Sequence, residues 1–475
     1  MGEAHTIHSN ELPPIRFASV RIPIPLLVET TALRAAGALS RVAGRGGGTT
    51  LPGKLLWKLD PGAIDRLAGR LPQGSALISA TNGKTTSAAM VAEILKPRLK
   101  VAHNASGANL VSGVASTLLH ARGAELGLFE VDEAALPEVA VRLRPRALLL
   151  GNLFRDQLDR YGELEHVAAR WRDAVAALPD AELVVNGDDP QVGDLAHGHK
   201  ARVFGLDDPR VARPALQHAA DSKYCLRCGT PYDYAAAYVG HLGDYRCPNC
   251  GHARPPLDVT ASEIELHGPD GAAFTLSAPE GTARVELALP GLYNVYNALG
   301  AGSLALTLGS PLTDVVAGLH RFSAAFGRFE RIAIGDRGVL MLLVKNPAGA
   351  NEAIRTLVEG RAPSVAVVAL NDAIADGRDV SWIWDVDFEP LLAGLDRLVA
   401  TGTRAAELAL RFAYGGMPRD RIEVVPSLEH ALDRGLALTP SGGELTVLPT
   451  YTAMLALRKI VASRGHVANY WESAA

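Results

Sequence analysis

Cysteine is scarce in this sequence, and an excess of basic residues is missing altogether. Four cysteines in 475 residues are too few to staple a chain of this size in the manner of small secreted domains, so no disulfide framework is expected. A formal net charge of −4 leaves no global positive field to hold nucleic acid or an anionic membrane. No uncharged apolar run of about eighteen residues occurs, and the stretch up to Pro25 is polar and proline-punctuated, without a signal-peptide core. The expectation is a cytoplasmic chain with no transmembrane segment and no nucleic-acid partner. With 48% hydrophobic residues, it is long enough for two or three domains, each with its own core.

What is present centres on Leu77 to Thr86, where an apolar run feeds a small polar loop and then a helix-forming run from Ser87 to Leu95. Backbone N–H groups at the start of such a helix, together with its dipole, suit a polyphosphate. Thr81, Asn82, Gly83, Lys84, Thr85 and Thr86 are therefore the candidate ATP-binding loop, with Lys84 on the β and γ phosphates and the Thr85 hydroxyl on Mg²⁺. The match to a phosphate loop is partial, because Ile78 stands where that pattern has its first glycine.

Residues 1–50 read as an N-terminal tail with one helix from Leu26 to Val42. A second helical stretch, Gly53 to Leu71, is broken at Asp60-Pro61-Gly62. Beyond the loop, apolar runs at Leu126–Val131, Ala147–Leu150, Leu183–Val185 and Arg202–Phe204 alternate with helical segments, which predicts a parallel sheet with helices on both faces. Carboxylates gather at the ends of these runs, in Glu130 to Glu133, Asn152 to Asp159 and Asn186 to Pro190, where they could serve Mg²⁺. Together 51–325 reads as the ATP-binding central domain.

Inside it, at about 221–256, the pairs Cys225/Cys228 and Cys247/Cys250 have the spacing of a four-thiolate zinc ribbon, each followed by a glycine at the knuckle turn. Four thiolates leave no open position for water, so the metal is expected to be structural. Chelation is expected to unfold the ribbon and spare nucleotide binding. Tyr224, Tyr232, Tyr234 and Tyr245 are expected around the ribbon core. Further on, Asn294 and Asn297 share a helix face within Gly291–Leu308, and either read an adenine edge or cap and face solvent.

From 326 to 475 the pattern restarts, with apolar runs at Val339–Val344, Ser364–Leu370, Arg397–Ala400, Ile422–Val425 and Leu445–Leu448. Its loops Lys345 to Gly349 and Asn371 to Asp379 fall where a doubly wound sheet places its crevice. Trp382 and Trp384 are either core or an interface anchor.

On Thr81–Thr86, Asn152–Gly162, Asn186–Pro190, Asn294–Asn297 and Gly327–Glu330, the chain resembles the Mur ligase superfamily. The ribbon, Lys345–Gly349 and Asn371–Asp385 place the resemblance in its lipid II-amidating branch. The resemblance implies an α/β fold: a Mur ligase-like central P-loop ATPase domain with an inserted four-cysteine zinc ribbon, plus a Rossmann-like C-terminal α/β domain. It implies that ATP and Mg²⁺ activate the α-carboxylate of D-glutamate in the lipid II stem peptide as an acyl phosphate, which ammonia converts to D-isoglutamine. Glu130 would be a magnesium carboxylate, Asn294 and Asn297 would face adenine, and Arg328 would reach the nucleotide from the linker. Asp379 would complete, in trans, the Cys-His pair of a glutaminase subunit, GatD, in a heterodimer working at the inner face of the membrane; a helix-capping role is its alternative. Gln157 replaces a histidine usual in amino-acid-adding members, and no lysine lies between Asp159 and Pro190 for carbamoylation. Because a glutaminase of this type needs a free thiolate, and all four cysteines are assigned to the ribbon, the ammonia source must be another chain. The alternative is a single-chain ligase of the Mur or folylpolyglutamate type.

Overall fold

The computed structural model describes residues 51–60, 62–104, 108–156, 164–217, 220–322, 329–360 and 362–467. The expected tail and helix before residue 51, together with Gln157 and Arg328, lie outside them.

The first sheet has nine strands in the order β11-β10-β9-β6-β5-β4-β1-β3-β2. Its members are β1 (Ser75–Ser79), β2 (Val101–His103), β3 (Leu126–Glu130), β4 (Ala147–Leu150), β5 (Glu182–Asn186), β6 (Ala201–Leu206), β9 (Val259–Leu266), β10 (Ala272–Ala278) and β11 (Gly281–Leu287). Every residue of β1, β3 and β4 is buried, which is why these strands read as unbroken apolar runs. Alternation persists inside them. Ala76, Ile78, Leu128 and Leu149 join a core with Met90, Leu299 and Leu319, whereas Leu77, Phe129, Leu148 and Leu150 join another with Leu56, Val114 and Trp171. Helices thus cover both faces, Lys84–Leu95, Leu292–Thr307 and Leu312–Arg321 on one and the helices of residues 51–68, 111–120 and 164–176 on the other.

The sheet is parallel from β2 through β9, but β9, β10 and β11 pair antiparallel. The strands read from the apolar runs between Leu126 and Phe204 pair parallel as expected, and β9 to β11 extend the sheet antiparallel; β9 and β11 carry Thr, Ser, Glu and Arg and leave no apolar run to read.

A two-stranded hairpin, β7 (Asp233–Val239) and β8 (Leu242–Arg246), carries the cysteine ribbon. The second large sheet has the order β12-β13-β17-β14-β15-β16, from β12 (Phe329–Ile334), β13 (Arg337–Leu342), β14 (Val365–Ala369), β15 (Arg397–Thr401), β16 (Ile422–Val424) and β17 (Glu444–Pro449). It is parallel except where β12 and β13 form a hairpin. Trp382 packs on its core, whereas Trp384 is exposed and meets Tyr414 edge-on at 5.6 Å. Among the described residues no helix is long and apolar enough to cross a membrane.

Candidate active site

The first sheet changes direction at β1, which has β3 on one side and β4 on the other, so the loop leaving β1 opens into the crevice of a doubly wound fold. Its residues are held tightly. Asn152, just past β4, accepts from Asn82 N (2.9 Å) with Oδ1 and donates to Asn82 O (3.0 Å) with Nδ2. Phe154 N donates to Thr81 Oγ1 at 3.1 Å. Gly83, the residue before the Lys84–Leu95 helix, has φ +85°, and a Cβ there would lie 1.8 Å from Asn297 Oδ1. Gly83→Ala is expected to weaken an ATP analogue about tenfold or more, because strain of this kind costs about 1–3 kcal/mol before any clash. Calorimetric titration checks it; an unchanged Kd would remove this loop from the nucleotide site.

Lys84, Thr85 and Thr86 form the buried first turn of the helix. The Lys84 ammonium donates to Glu133 Oε2 at 2.9 Å and to Ala80 O at 3.1 Å. Burial works against its charge, but Glu133, Glu130 and Asp132 more than offset this and raise its pKa.

Glu130, at the end of β3 and opposite Ile78 in register, is 1% exposed. Its backbone is bracketed by the Asn104 amide, its Oε1 accepts from Asn109 at 3.4 Å, and its buried Oε2 has no partner. An orphaned carboxylate oxygen beside a phosphate loop fits a hard divalent cation. Asp156 Oδ1 is likewise buried without a partner, whereas the carboxylates of the Asn186–Pro190 cluster are engaged. Asp188 is bound by Tyr296, Leu206 N and Arg254, and burial lifts its carboxyl to about 6. Asp189 accepts from Leu153 N and caps the helix at Pro190. The expectation that Asn186–Pro190 offers metal ligands is corrected: both carboxylates are wholly buried and engaged in holding loops.

Asn297 donates to Asn294 Oδ1 at 3.0 Å, and Asn294 donates to Pro290 O at 2.8 Å. Both amides face a cleft of about 1010 Å³, partly open to solvent, with Asn82, Gly83 and Thr86 on its floor. Its far wall comes from the second sheet and its helix Pro347–Glu359, including Phe329, Lys345, Gly349 and Glu352. The two halves are pinned together. Lys345 Nζ donates to Thr81 O (3.0 Å) and Asp156 Oδ2 (2.6 Å), while the Asn82 and Asn346 amides exchange hydrogen bonds of 3.3 and 3.0 Å.

Asp379 lies elsewhere, on a second cleft of about 550 Å³ shared with Arg155, Lys345, Asp376 and Trp382. It is exposed, and Oδ1 accepts from Ser381 N at 2.8 Å ahead of a short 3-10 helix, which holds its carboxyl below the usual range.

The four cysteines converge, with all four Sγ atoms within 4.8 Å of one another. Cys225–Cys250 and Cys228–Cys247 stand at 3.5 and 3.4 Å, near the roughly 3.8 Å edge of a tetrahedron with metal–sulfur bonds of about 2.3 Å. Gly229 and Gly251 turn the knuckles at φ +72° and +75°. Tyr232 and Tyr245 are buried against the cysteines and Tyr234 packs partly on them, but Tyr224 is exposed, a correction to the expectation of four core tyrosines. Sequence reasoning also missed Asn104, Tyr293 and Glu352, each near the cleft or the Glu130 carboxylate but outside any short motif.

Comparison with known proteins places this geometry. Residues 78–253 match the Mur ligase middle domain and residues 343–454 match the MurT ligase C-terminal family. The MurT subunit of lipid II isoglutaminyl synthase (glutamine-hydrolyzing) from Streptococcus pneumoniae is 33% identical over 88% of this chain and 93% of its own. A pseudomurein peptide ligase type C from Methanothermus fervidus shares the fold at TM-score 0.67, with 20% identity over 86% of this chain and 84% of its own. MurF ligase from Thermotoga maritima, solved in complex with ADP, does so at TM-score 0.61 and 14% identity over 87% and 85%. With 33% identity to that MurT subunit over 88% of its length, and family matches in both of its halves, the chain belongs to the MurT family of Mur ligase-like subunits.

Proposed function

We propose that this chain is the ATP-dependent subunit of a lipid II isoglutaminyl synthase, a carbon–nitrogen ligase that amidates the α-carboxylate of D-glutamate in the stem peptide. The observation that carries it is the junction of the phosphate-type loop with the MurT-type C-terminal segment, where Lys345 and Asn346 close on Thr81 and Asn82. Carboxylate and ammonia do not condense unaided in water. A carboxylate oxygen attacks the γ-phosphorus, the bond to the β-phosphate oxygen breaks, and ADP leaves an acyl phosphate. Ammonia then adds to the carbonyl carbon, a proton is lost, and the C–O bond to phosphate breaks to give the amide and inorganic phosphate.

Thr81 to Thr86 line the triphosphate in this reading, Lys84 exchanges Glu133 for the β and γ oxygens, and Asn294 and Asn297 face the adenine. Arg328 is assigned to the nucleotide by resemblance alone. Thr85 and Glu130 would hold Mg²⁺, which when bound neutralises developing phosphate charge. The thiolates of Cys225, Cys228, Cys247 and Cys250 would hold Zn²⁺ in a closed structural site.

The four cysteines of the chain all lie in that cluster, so no thiol remains for glutaminase chemistry. Ammonia therefore comes from a partner subunit, assigned to a GatD-type glutaminase, with Asp379 offered to its histidine. The test is amide formation on lipid II by the purified chain with ATP under three conditions: ammonium, glutamine alone, and glutamine with co-expressed partner. Product is expected in the first and third only. ATP turnover supported by a free amino acid, with no amide in any condition, would favour a single-chain amino-acid ligase instead.

A further inference from the structure

We infer that the cysteine ribbon's hairpin is a wall of the nucleotide cleft, so that the metal clasping its base governs nucleotide affinity. The inference rests on reading that cleft as the ATP site, and it replaces the expectation that ribbon and nucleotide are independent.

Strands β7 and β8 leave the two knuckles, Cys247 following Arg246 at the end of β8 and Cys228 lying shortly before Asp233. A lone two-stranded hairpin is marginal in water and takes its shape from what it packs against, here the first core around Ala236, Tyr238, Val239 and Leu242 together with contacts at its base and at its turn. The base is fixed by the thiolate cluster and by the Tyr232 and Tyr245 rings, edge-on at 5.0 Å. The turn is fixed by the ATP-binding half. Gly240 has φ +58°, and a Cβ on it would come within 2.7 Å of Phe154 Cε1. His241 is fully buried, its ring 4.7 Å from that of Phe154 and its Nε2 3.3 Å from Asp189 Oδ2.

Phe154 is the residue whose N–H holds Thr81. The turn therefore braces the segment that braces the phosphate-type loop. On either side of it, Val239 and Leu242 line the same cleft as Asn294 and Asn297. The same strand also meets the other half: Arg355 of the Pro347–Glu359 helix donates to Tyr238 O at 3.2 Å and to Val211 O at 3.0 Å. One small element thus lines the pocket, supports its floor and receives the helix that closes it. Release of the base removes one of the contacts that hold it in place.

The full chain is purified with its metal, its zinc content is measured, and a non-hydrolysable ATP analogue is titrated calorimetrically into four samples: intact, zinc-stripped, Leu242→Ala and Leu242→Met. We expect stripping and Leu242→Ala each to weaken the analogue about tenfold or more, since apolar contacts in a pocket discriminate on that scale. Leu242→Met keeps the volume and should restore affinity. In the amidation assay Leu242→Ala should raise KM for ATP while leaving KM for ammonium unmoved, a split that general destabilisation would not give. Intact affinity in a stripped sample whose hairpin amides exchange freely with solvent overturns the inference, as does Leu242→Ala binding like wild type. Absence of binding in the intact sample overturns the ATP-site reading itself, and so is distinguishable from failure of the ribbon's role.

Discussion

Lys84→Met is expected to lower ATP-dependent amide formation by about 10²–10³-fold, the usual cost of deleting one preorganised charge donor at a reacting centre. It should also destabilise the fold. Lys84 and Glu133 are both almost fully buried and 2.9 Å apart, so removing the ammonium strands a carboxylate, and breaking such a pair costs about 3–5 kcal/mol. The Lys345 charge, which also acts on Glu133, reduces that figure. Adding Glu133→Gln should therefore recover thermal stability without recovering activity, separating the chemistry from the packing. The acid limb offers a second check. Burial alone would raise the Glu133 pKa, yet Lys84 and then Lys345 hold it below the ordinary value. A depressed carboxylate stabilises the fold above its unfolded pKa of about 4.3, and that contribution disappears as pH falls through the lower folded value. The double variant should accordingly lose less stability than wild type on acidification below about pH 4. Calorimetric melts across that range decide it; parallel acid limbs would show that the pair contributes nothing to the pH dependence.

Asp379→Asn should depress glutamine-dependent amidation by about 10⁴-fold and leave ammonium-dependent amidation and nucleotide affinity unchanged. That magnitude is the cost of replacing a triad aspartate with its amide, which offers the imidazole the wrong hydrogen-bonding partner. The local fold should survive, because asparagine's amide oxygen still accepts from Ser381 N. That backbone bond also keeps the native carboxyl below its ordinary pKa and so ionised at neutral pH, as an orienting acceptor must be. Its cleft reaches Lys345, one of the residues that pins the two sheets together, so the proposed glutaminase contact lies beside their junction and not out on a remote surface. Unchanged glutamine turnover by the two-subunit complex would assign Asp379 to loop capping alone.

What was legible in the chain follows from how local each cause is. Strands β1, β3 and β4 could be read because burial on both faces demands continuous apolar residues. The ribbon could be read because metal geometry imposes its own spacing on cysteine, and the two knuckle glycines have the positive φ that such turns require. Strands β9 and β11 were illegible because polar and exposed residues interrupt their buried ones, leaving no continuous apolar run. The acidic run at Asp188 and Asp189 misled for a related reason: composition does not report burial, and these groups hold Arg254, Tyr296, Leu153 N and a buried histidine in place of a metal. The partner of Asn82 could not be found at all, since Asn346 stands 264 residues away and the attraction between two amides leaves no periodic trace. Nothing in the local sequence marks Val239 and Leu242, which line the cleft beside a turn that docks on Phe154.

The Asn82–Asn346 and Lys345–Thr81 contacts carry a thermodynamic corollary. Both lie on the loop proposed to grip triphosphate, and one brings a cation from the opposite half of the molecule. The nucleotide's affinity is then a joint property of two bodies, and linkage makes it reciprocal: any factor by which closure tightens ATP is the factor by which ATP favours closure. In the proposed reading the nucleotide would act as a reversible cross-link between them. Thr81 O and the Asp156 carboxylate already hold Lys345 inward without it, so the proposed ligand would reinforce a clasp that the protein forms on its own.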